Sequence, residues 1–316
     1  MLKVVVIGYG QMLANLILGC IESGHQIVGV LRHDRIVYDP VSLAIKDIFA
    51  PSKDKCFISG CNLNEIKATS VNSEGFKKEI IKLNPDIILI GSWSEKLKKH
   101  IIDLPKIACI NAHPSLLPRY RGPNPYAQVI INGENKTGIT FHLVDTKFDN
   151  GPILHQAEVE ILPDDTGETL KSRCACKAKS EIGVLLSKMD SEIVIPMPQN
   201  ETLATYQKQL DAKDIILDFK KSSTEIDRKI RGLTPWLKSY IPYKNNFFRV
   251  DTYKIVENTT QVREAQTIVK KGRKSLQILC GDNKVIEFTN LKMLSPIPFS
   301  TELYIDLFLK INDKAK

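Results

Sequence analysis

The segment Asn111 to Gly122, Asn-Ala-His-Pro-Ser-Leu-Leu-Pro-Arg-Tyr-Arg-Gly, combines residue types and spacing that suit chemistry. It follows an apolar run that predicts a buried strand ending at Ile110. Alternation along an extended chain places Asn111, His113 and Ser115 on one side. In a core, the amide, the imidazole and the hydroxyl would each need a partner, so the set favours the floor of a site at the carboxyl end of a sheet.

A second polar cluster, Asp145 to Pro152, follows another predicted strand. Within it, Asp149 precedes Asn-Gly-Pro, and turn formation alone would explain an isolated aspartate there. The preceding strand is, however, expected to neighbour the strand that delivers His113, and a carboxylate within reach sets the tautomer of an imidazole. We infer attack of a substrate nucleophile on a carbonyl, with Asn111 and His113 stabilising the oxyanion and Asp149 positioning His113 and moving protons.

The elements that must position these residues alternate strand and helix through the first two thirds of the chain, and one of the predicted strands runs from Ile153 to Glu160. This rhythm predicts an α/β fold with a mostly parallel, Rossmann-like sheet covered by helices on both faces. A polar, proline-marked connector then suggests a boundary between a catalytic domain, residues 1–206, and a C-terminal domain, residues 207–316. Beyond a helix that begins at Ser222, period-two alternation predicts short antiparallel strands in a small OB-like β-barrel, and one of these predicted strands runs from Phe247 to Ile255.

The bulk composition limits the classes of function. The chain has 316 residues, is 43% hydrophobic and 25% charged, and carries a formal net charge of +8, which permits a polyanionic partner such as RNA. None of its seven cysteines lies in a Cys-x-x-Cys pair, so we expect neither a metal site nor a disulfide framework. Without a recognisable signal peptide or an apolar run of bilayer length, we expect a cytoplasmic protein with no membrane contact.

The glycine pair Gly8-Tyr9-Gly10 follows the first predicted strand, where a dinucleotide-binding fingerprint would lie. Asp34 falls near the position of a ribose-binding acid. The third fingerprint position is Leu13, however, whose bulk opposes close helix–strand packing over a pyrophosphate. A tight turn at the edge of a site is therefore the preferred interpretation.

NAHPSLLPRYRG at 111–122 and GITFHLVDTKFDNGPIL at 138–154 together resemble the folate-dependent formyltransferase family. The resemblance implies transfer of a formyl group from the co-substrate 10-formyltetrahydrofolate to a primary amine, without a metal. It implies that Asn111 and His113 bind the formyl oxygen and that Asp149 assists proton removal. It further implies a folate site that includes Gly91, Ser92, Trp93, Ser115, Val144 and Asp145, in which Trp93 either stacks on the folate or serves as a hydrophobic anchor.

The sequence leaves two candidates for the amine that accepts the formyl group. Ile230 to Trp236 resembles the start of the C-terminal domain in family members that formylate methionyl-tRNA, which implies initiator methionyl-tRNA as partner and a role in translation initiation. Residues 32–40 are shorter than the loop of those members and lack its glycines, so a nucleotide-linked amino-sugar is the alternative. A non-catalytic RNA-binding protein is disfavoured because the polar triad is present. Acceptor contacts are expected from Arg32, Arg35, Arg119 and Arg121, the last two partly exposed.

Overall fold

A computed structural model describes residues 1–191, 194–256, 264–294 and 301–316 of the chain. The chain divides into two compact units, each built from several segments. The first comprises Met1–Pro125, Lys136–Ile161 and Leu170–Lys208, and the second comprises Tyr126–Asn135, Leu162–Thr169 and Gln209–Lys316. Every helix among the described residues is too short or too polar to span a bilayer.

A six-stranded sheet organises the first unit, in the order β2-β1-β3-β4-β5-β6. Its strands β1 to β4 pair in parallel, whereas β5 and β6 add antiparallel pairings at one edge. The expected mostly parallel sheet is therefore confirmed. The strands are β1 (Lys3–Gly8), β2 (Gln26–Arg32), β3 (Ile87–Gly91), β4 (Ala108–His113), β5 (Lys136–Leu143) and β6 (Ile153–Glu160).

Apolar residues on both faces hold helices against this sheet. On one face Val5, Ile7 and Ile88 pack in a buried cluster with Phe76 and Ile80, and burying each such side chain stabilises the fold by about 1.5–3 kcal/mol. The helices in this part of the chain are α1 (Gly10–Glu22), α2 (Asp34–Val37), α3 (Pro40–Phe49), α4 (Lys53–Gly60), α5 (Glu74–Leu83), α6 (Lys99–Ile102), α7 (Pro125–Ile131) and α8 (Gly167–Ser191), with a 3-10 turn at Glu201–Leu203. All of α7 after Pro125 and residues 167–169 of α8 belong to the second unit.

Helices α2 to α4 were not anticipated from the sequence, although two of them carry a start signal. Asp39 accepts backbone hydrogen bonds from Val41 and Ser42, and proline follows it in the first turn. Ser52 caps α4 in the same way. A capping side chain satisfies backbone N–H groups that have no partner within the helix.

Antiparallel pairings make up the second unit. One sheet has the order β10-β11-β12-β9 and the other β13-β8-β7. The predicted helix is present and begins with a reciprocal capping box between Ser222 and Glu225. The elements are α9 (Ser223–Leu233), β7 (Tyr240–Tyr243), β8 (Asn246–Arg249), β9 (Thr252–Val256), β10 (Ile268–Gly272), β11 (Ser275–Leu279), β12 (Val285–Thr289), β13 (Lys292–Leu294) and α10 (Thr301–Phe308).

The antiparallel character of the C-terminal region was predicted correctly, but one predicted strand is wrong. The run from Phe247 to Ile255 forms two strands, β8 and β9, which belong to different sheets. Its apolar alternation is interrupted at Val250 and Asp251, where the chain leaves one sheet for the other. Both sheets contribute to one buried cluster that includes Phe248 and Phe288.

Candidate active site

Strands β4 and β5 place an amide and an imidazole side by side. The antiparallel register pairs Asn111 with His142, and Nδ2 of Asn111 lies 3.1 Å from Nε2 of His142. The other ring nitrogen, Nδ1, lies 2.8 Å from the carbonyl oxygen of Leu143. Since that carbonyl can only accept, Nδ1 carries the proton and Nε2 accepts from the Asn111 amide.

Asp149 brings a carboxylate to the same point from the loop after β5. Its Oδ1 lies 3.3 Å from Nδ2 of Asn111, 3.5 Å from Nδ1 of His113 and 3.7 Å from Nε2 of His142. Its Oδ2 accepts a 2.9 Å hydrogen bond from the backbone N–H of Gly122. The three residues proposed from the sequence therefore lie together, Asn111 and His113 on β4 and Asp149 in the loop after β5.

Burial and charge set the protonation states of this group. Burial lowers the pKa of His113 below its ordinary value, although Asp149 and the carbonyl of Tyr120 act in the opposite direction. For Asp149 burial acts to raise the pKa, but His113, His142 and the N–H of Gly122 outweigh it and hold the pKa well below the ordinary range. Near neutral pH the site therefore holds an ionised carboxylate beside a neutral imidazole.

The tautomer of His113 follows from its backbone partner. Nε2 lies 2.8 Å from the carbonyl oxygen of Tyr120 and donates to it. Nδ1 is therefore the basic nitrogen of the neutral ring, and it faces Asp149. A proton gained at Nδ1 would be held by the carboxylate.

A cleft opens beside this group, and its space of about 460 Å³ includes open solvent. Trp93, Val144 and Asp145, all predicted folate contacts, line it. The indole N–H of Trp93 is buried and has no hydrogen-bond partner among the described residues. The other lining residues are Ile90, Glu95, Lys96, Leu97, Asn111, His142, Lys147, Phe148 and Asp149.

Three residues predicted for the folate site, Gly91, Ser92 and Ser115, are not among the residues that line this cleft, and their folate contacts stay predictions. The hydroxyl of Ser115 is fully buried and donates to the carbonyl of Arg119 at 2.7 Å, so it closes its own loop. Gly91 faces α1, where an added Cβ would lie 2.5 Å from Cδ1 of Leu16. Ser92, with φ 58°, forms the turn between β3 and Trp93.

Two of the four arginines predicted to contact the acceptor are buried, and the expected partial exposure of Arg121 is wrong. The side chains of Arg32 and Arg121 are both fully buried. Arg32 is paired with three carboxylates within its own unit, those of Asp34, Asp47 and Glu65. A guanidinium whose donors are already paired in this way has little capacity left for a phosphate.

The remaining two arginines lie nearer to solvent. Arg35 donates from Nε to Oε1 of Glu65 at 2.6 Å, and its side chain is 18% exposed. Arg119 is exposed, and its guanidinium lies 5.3 Å from the centre of the Tyr120 ring.

The Arg32 cluster yields a stability prediction. Arg32→Ala would leave three partly or largely buried carboxylates without their shared cation, and removing one partner of a buried ion pair typically costs about 3–5 kcal/mol. We expect a loss of this size in the free energy of unfolding, measured by urea denaturation. Lys99→Ala, which removes an exposed pair with Asp103, is the control and should change stability little. Equal stability of the two variants would contradict the assignment of Arg32 as the cation that stabilises these three carboxylates.

His142 was missed in the sequence, although a signal was available. The signal is a pair of polar residues, Thr140 and His142, that are two positions apart in β5 and therefore point to the same side of the strand. That His142 lies beside Asn111 of the neighbouring strand β4 follows only from the pairing register of the two strands.

The backbone N–H of the glycine pair at the start of α1 binds a carboxylate from elsewhere in the same chain. The N–H of Gly10 lies 3.0 Å from both carboxylate oxygens of Asp54 in α4. An anionic group thus already sits at this helix N-terminus, where a pyrophosphate would bind in a dinucleotide site. This supports the interpretation of Gly8-Tyr9-Gly10 as a tight turn.

Two profiles of known protein families match the chain. The formyl transferase family profile matches residues 2–186, and the profile of the formyl transferase C-terminal domain matches residues 209–302. A methionyl-tRNA formyltransferase of Clostridium novyi (strain NT) is 31% identical over 77% of this chain and 79% of its own. Another, from Alkaliphilus oremlandii (strain OhILAs), is 31% identical over 93% of this chain and 94% of its own.

Solved structures with the same fold include formyltransferases that act on sugars. An N-formyltransferase from Helicobacter canadensis, in complex with folinic acid and dTDP-3-aminofucose, has a TM-score of 0.68 and 18% identity, and the match covers 92% of this chain and 99% of that one. A sugar 3N-formyl transferase has a TM-score of 0.65 and 19% identity, covering 92% and 97%. At these identities the likeness concerns the fold. With both profiles matched along most of its length, the chain belongs to the formyl transferase family and is a formyltransferase.

Proposed function

We propose that this enzyme transfers the formyl group of 10-formyltetrahydrofolate to the amino group of methionyl-tRNA. The main support is the meeting of Asn111, His113 and Asp149, where Asp149 lies 3.3 Å from the amide and 3.5 Å from the imidazole beside a cleft. An amide donor, a neutral imidazole and a carboxylate are the groups that acyl transfer to an amine requires. Because methionyl-tRNA is consumed in translation initiation, the proposed place of action is the cytoplasm.

The cleft is the proposed donor site. Ile90, Leu97 and Val144 give it apolar walls, and Trp93 adds an aromatic ring with a buried N–H donor. A folate presents a flat heterocycle with several acceptors, which suits such a lining. The formyl group would lie at the end of the cleft formed by Asn111 and Asp149.

Bond formation is assisted by Asn111. The amine nitrogen attacks the formyl carbon, and the carbonyl oxygen becomes a tetrahedral oxyanion. One N–H of Asn111 is committed to His142, while the other makes only a 3.3 Å contact with Asp149 and can turn to the oxyanion. Donors aimed at developing charge inside a dry site lower the barrier by about 3–4 kcal/mol.

Proton transfer is assigned to His113 and Asp149. The attacking amine becomes cationic, and its excess proton passes to Nδ1 of His113, directly or through water. Asp149 stabilises the imidazolium that results. The proton then moves to N10 of the folate as the bond between N10 and the formyl carbon breaks, which leaves tetrahydrofolate and the N-formyl product.

The choice of acceptor rests on the relatives and on the C-terminal region. The two relatives described above, both methionyl-tRNA formyltransferases, match up to 93% of this chain at 31% identity, whereas the sugar-modifying neighbours share 18–19%. The second unit also presents exposed cations, among them Lys270, Arg273 and Lys274 on and around the β10–β11 hairpin. A nucleotide-linked amino-sugar, acted on by the same chemistry, is the alternative acceptor.

The deciding experiment supplies both acceptors at once. The purified chain is incubated with labelled 10-formyltetrahydrofolate, methionyl-tRNA and a dTDP- or UDP-linked amino-sugar, and the products are identified by mass spectrometry. Formyl-methionyl-tRNA as the dominant product is expected. Label appearing in the sugar alone would overturn the proposed acceptor while leaving the chemistry in place.

Salt should weaken the binding of methionyl-tRNA steeply. Each phosphate bound by a cation releases counterions, so log K falls linearly with log salt, by about 0.7–0.9 per phosphate. Replacing Lys270 and Lys274 by alanine is expected to reduce this slope by about one for each phosphate that is no longer neutralised, with kcat unchanged at saturating tRNA. A filter-binding titration from low to physiological salt measures the slope, and a slope unchanged by both substitutions would exclude this hairpin as an RNA-binding surface.

A further inference from the structure

Residues 197–207, which we call the strap, bond to two segments beside the site. One is the loop after β4, and the other is the aspartate loop, residues 145–152, with the first residue of β6. Ile153, at the start of β6, and Met197 exchange two backbone hydrogen bonds of 2.8 Å. The backbone of Arg121 donates to Thr205 at 2.9 Å and accepts from Gln207 at 2.8 Å. The strap was interpreted from the sequence as a connector, but it joins the loop after β4 to the strand that follows the aspartate loop.

Gln199 is the residue of the strap that bonds to both loops through one side chain. Its Nε2 donates to the carbonyl of Asp149 at 2.9 Å and to the carbonyl of Gly151 at 2.8 Å. Its Oε1 accepts from Nε and Nη2 of Arg121 at 3.0 and 2.7 Å. With its two donors and its acceptor oxygen engaged, the amide has one orientation that satisfies every bond.

Arg121 provides the anchor for Gln199. Its fully buried guanidinium donates from Nη1 to Oδ1 of Asn150 at 2.8 Å and to the hydroxyl of Tyr206 at 2.6 Å. Its Nη2 forms an ion pair of 2.7 Å with Oε1 of Glu201. A buried charge that is paired and fully hydrogen-bonded holds its geometry because losing any partner is costly.

The aspartate loop needs such support. Asp149 has φ 53°, in the left-handed region, which a non-glycine residue adopts at a cost of about 1–2 kcal/mol. We propose that Gln199, anchored by Arg121, is a positioning residue that holds the backbone of Asp149 in this conformation and thereby keeps its carboxylate beside His113. The inference rests on the role proposed for Asp149 in formyl transfer.

The test replaces Gln199 by methionine, which has similar length and no hydrogen-bonding amide. We expect kcat for formyl transfer to fall about tenfold or more, because small displacements of a reacting group are costly, while KM for the folate stays within about twofold. In an Asp149→Asn background the same substitution should have little further effect, since the group that it positions is already lost. Leu203→Ala, at a 58% exposed position of the same strap, is the control and should retain the wild-type rate.

A second measurement needs no substrate, so it remains informative if the acceptor is wrongly assigned. The charged and titratable groups that face His113 are Asp149 and His142. If Gln199→Met lets Asp149 move away, the pKa of His113, followed by NMR, should fall towards its value in Asp149→Asn. A kcat within about twofold of wild type, or a lower kcat with an unmoved His113 titration, would overturn the proposal.

Gln199→Glu provides a second variant in case the methionine variant does not fold. A glutamate keeps an acceptor for Arg121 but replaces the donor that faces the carbonyls of Asp149 and Gly151. Its kcat should fall as in Gln199→Met, and a wild-type rate would exclude the Gln199–Asp149 hydrogen bond as a requirement.

Discussion

His113→Ala should lower kcat by at least about two orders of magnitude while leaving the fold intact. General acid–base catalysis contributes about 10²–10⁴-fold, and the substitution removes the nitrogen proposed to take the proton of the amine. His113 also bonds through Nε2 to Tyr120, so some loosening of that loop is expected. Single-turnover formylation of methionyl-tRNA measures the effect on chemistry apart from tRNA release.

The control for this variant is His100→Ala, which makes the same change at an exposed position of α6. It should keep the wild-type rate. Circular dichroism and the thermal midpoint report whether the His113 variant is folded. A folded His113→Ala enzyme with a near-normal rate would remove this imidazole from the mechanism.

Asp149→Asn should lower kcat by about two orders of magnitude, with a distinctive pH dependence. The amide can still accept a hydrogen bond from Gly122, but it cannot hold the proton on His113. Because the carboxylate acts to raise the pKa of His113, its removal should lower that pKa further. The variant thus removes the negative charge at position 149 while keeping the size and shape of the side chain.

The sign of the pH effect follows from which form of His113 is active. The neutral ring accepts the proton, so activity is lost as pH falls through the pKa of His113. That pKa is already below the ordinary histidine value in the wild type, and in Asp149→Asn the acid limb of the remaining activity should move to still lower pH. The exposed Asp103→Asn serves as control, and an acid limb that moves to higher pH would contradict the assigned roles.

Much of the first unit follows from local pattern. Strand β6 has the predicted bounds, Ile153–Glu160, and the proposed side-by-side placement of Asn111 and His113 holds because β4 continues through His113. Period-two alternation within one strand is a local property, so residue types and spacing were sufficient for it. The capping box at Ser222 is likewise contained in four consecutive residues.

The burial of the two arginines was not anticipated for one reason, which is that their partners lie far along the chain. Arg121 was expected near solvent, but it is buried because Glu201, 80 residues away in sequence, neutralises it. Arg32 is similarly enclosed by Asp47 and Glu65. Burial of a charge depends on where its counter-charges are brought by the fold, and no local pattern encodes that.

By itself, the sequence determined the chemical groups of the site and the strand that presents two of them. Only the tertiary structure decided that the carboxylate of Asp149 meets them, that His142 joins Asn111 through the β4–β5 register, and that Gln199 bonds the aspartate loop to Arg121. Side chains on one strand are related by covalent geometry, whereas side chains on different segments are related only through the packing that brings those segments together.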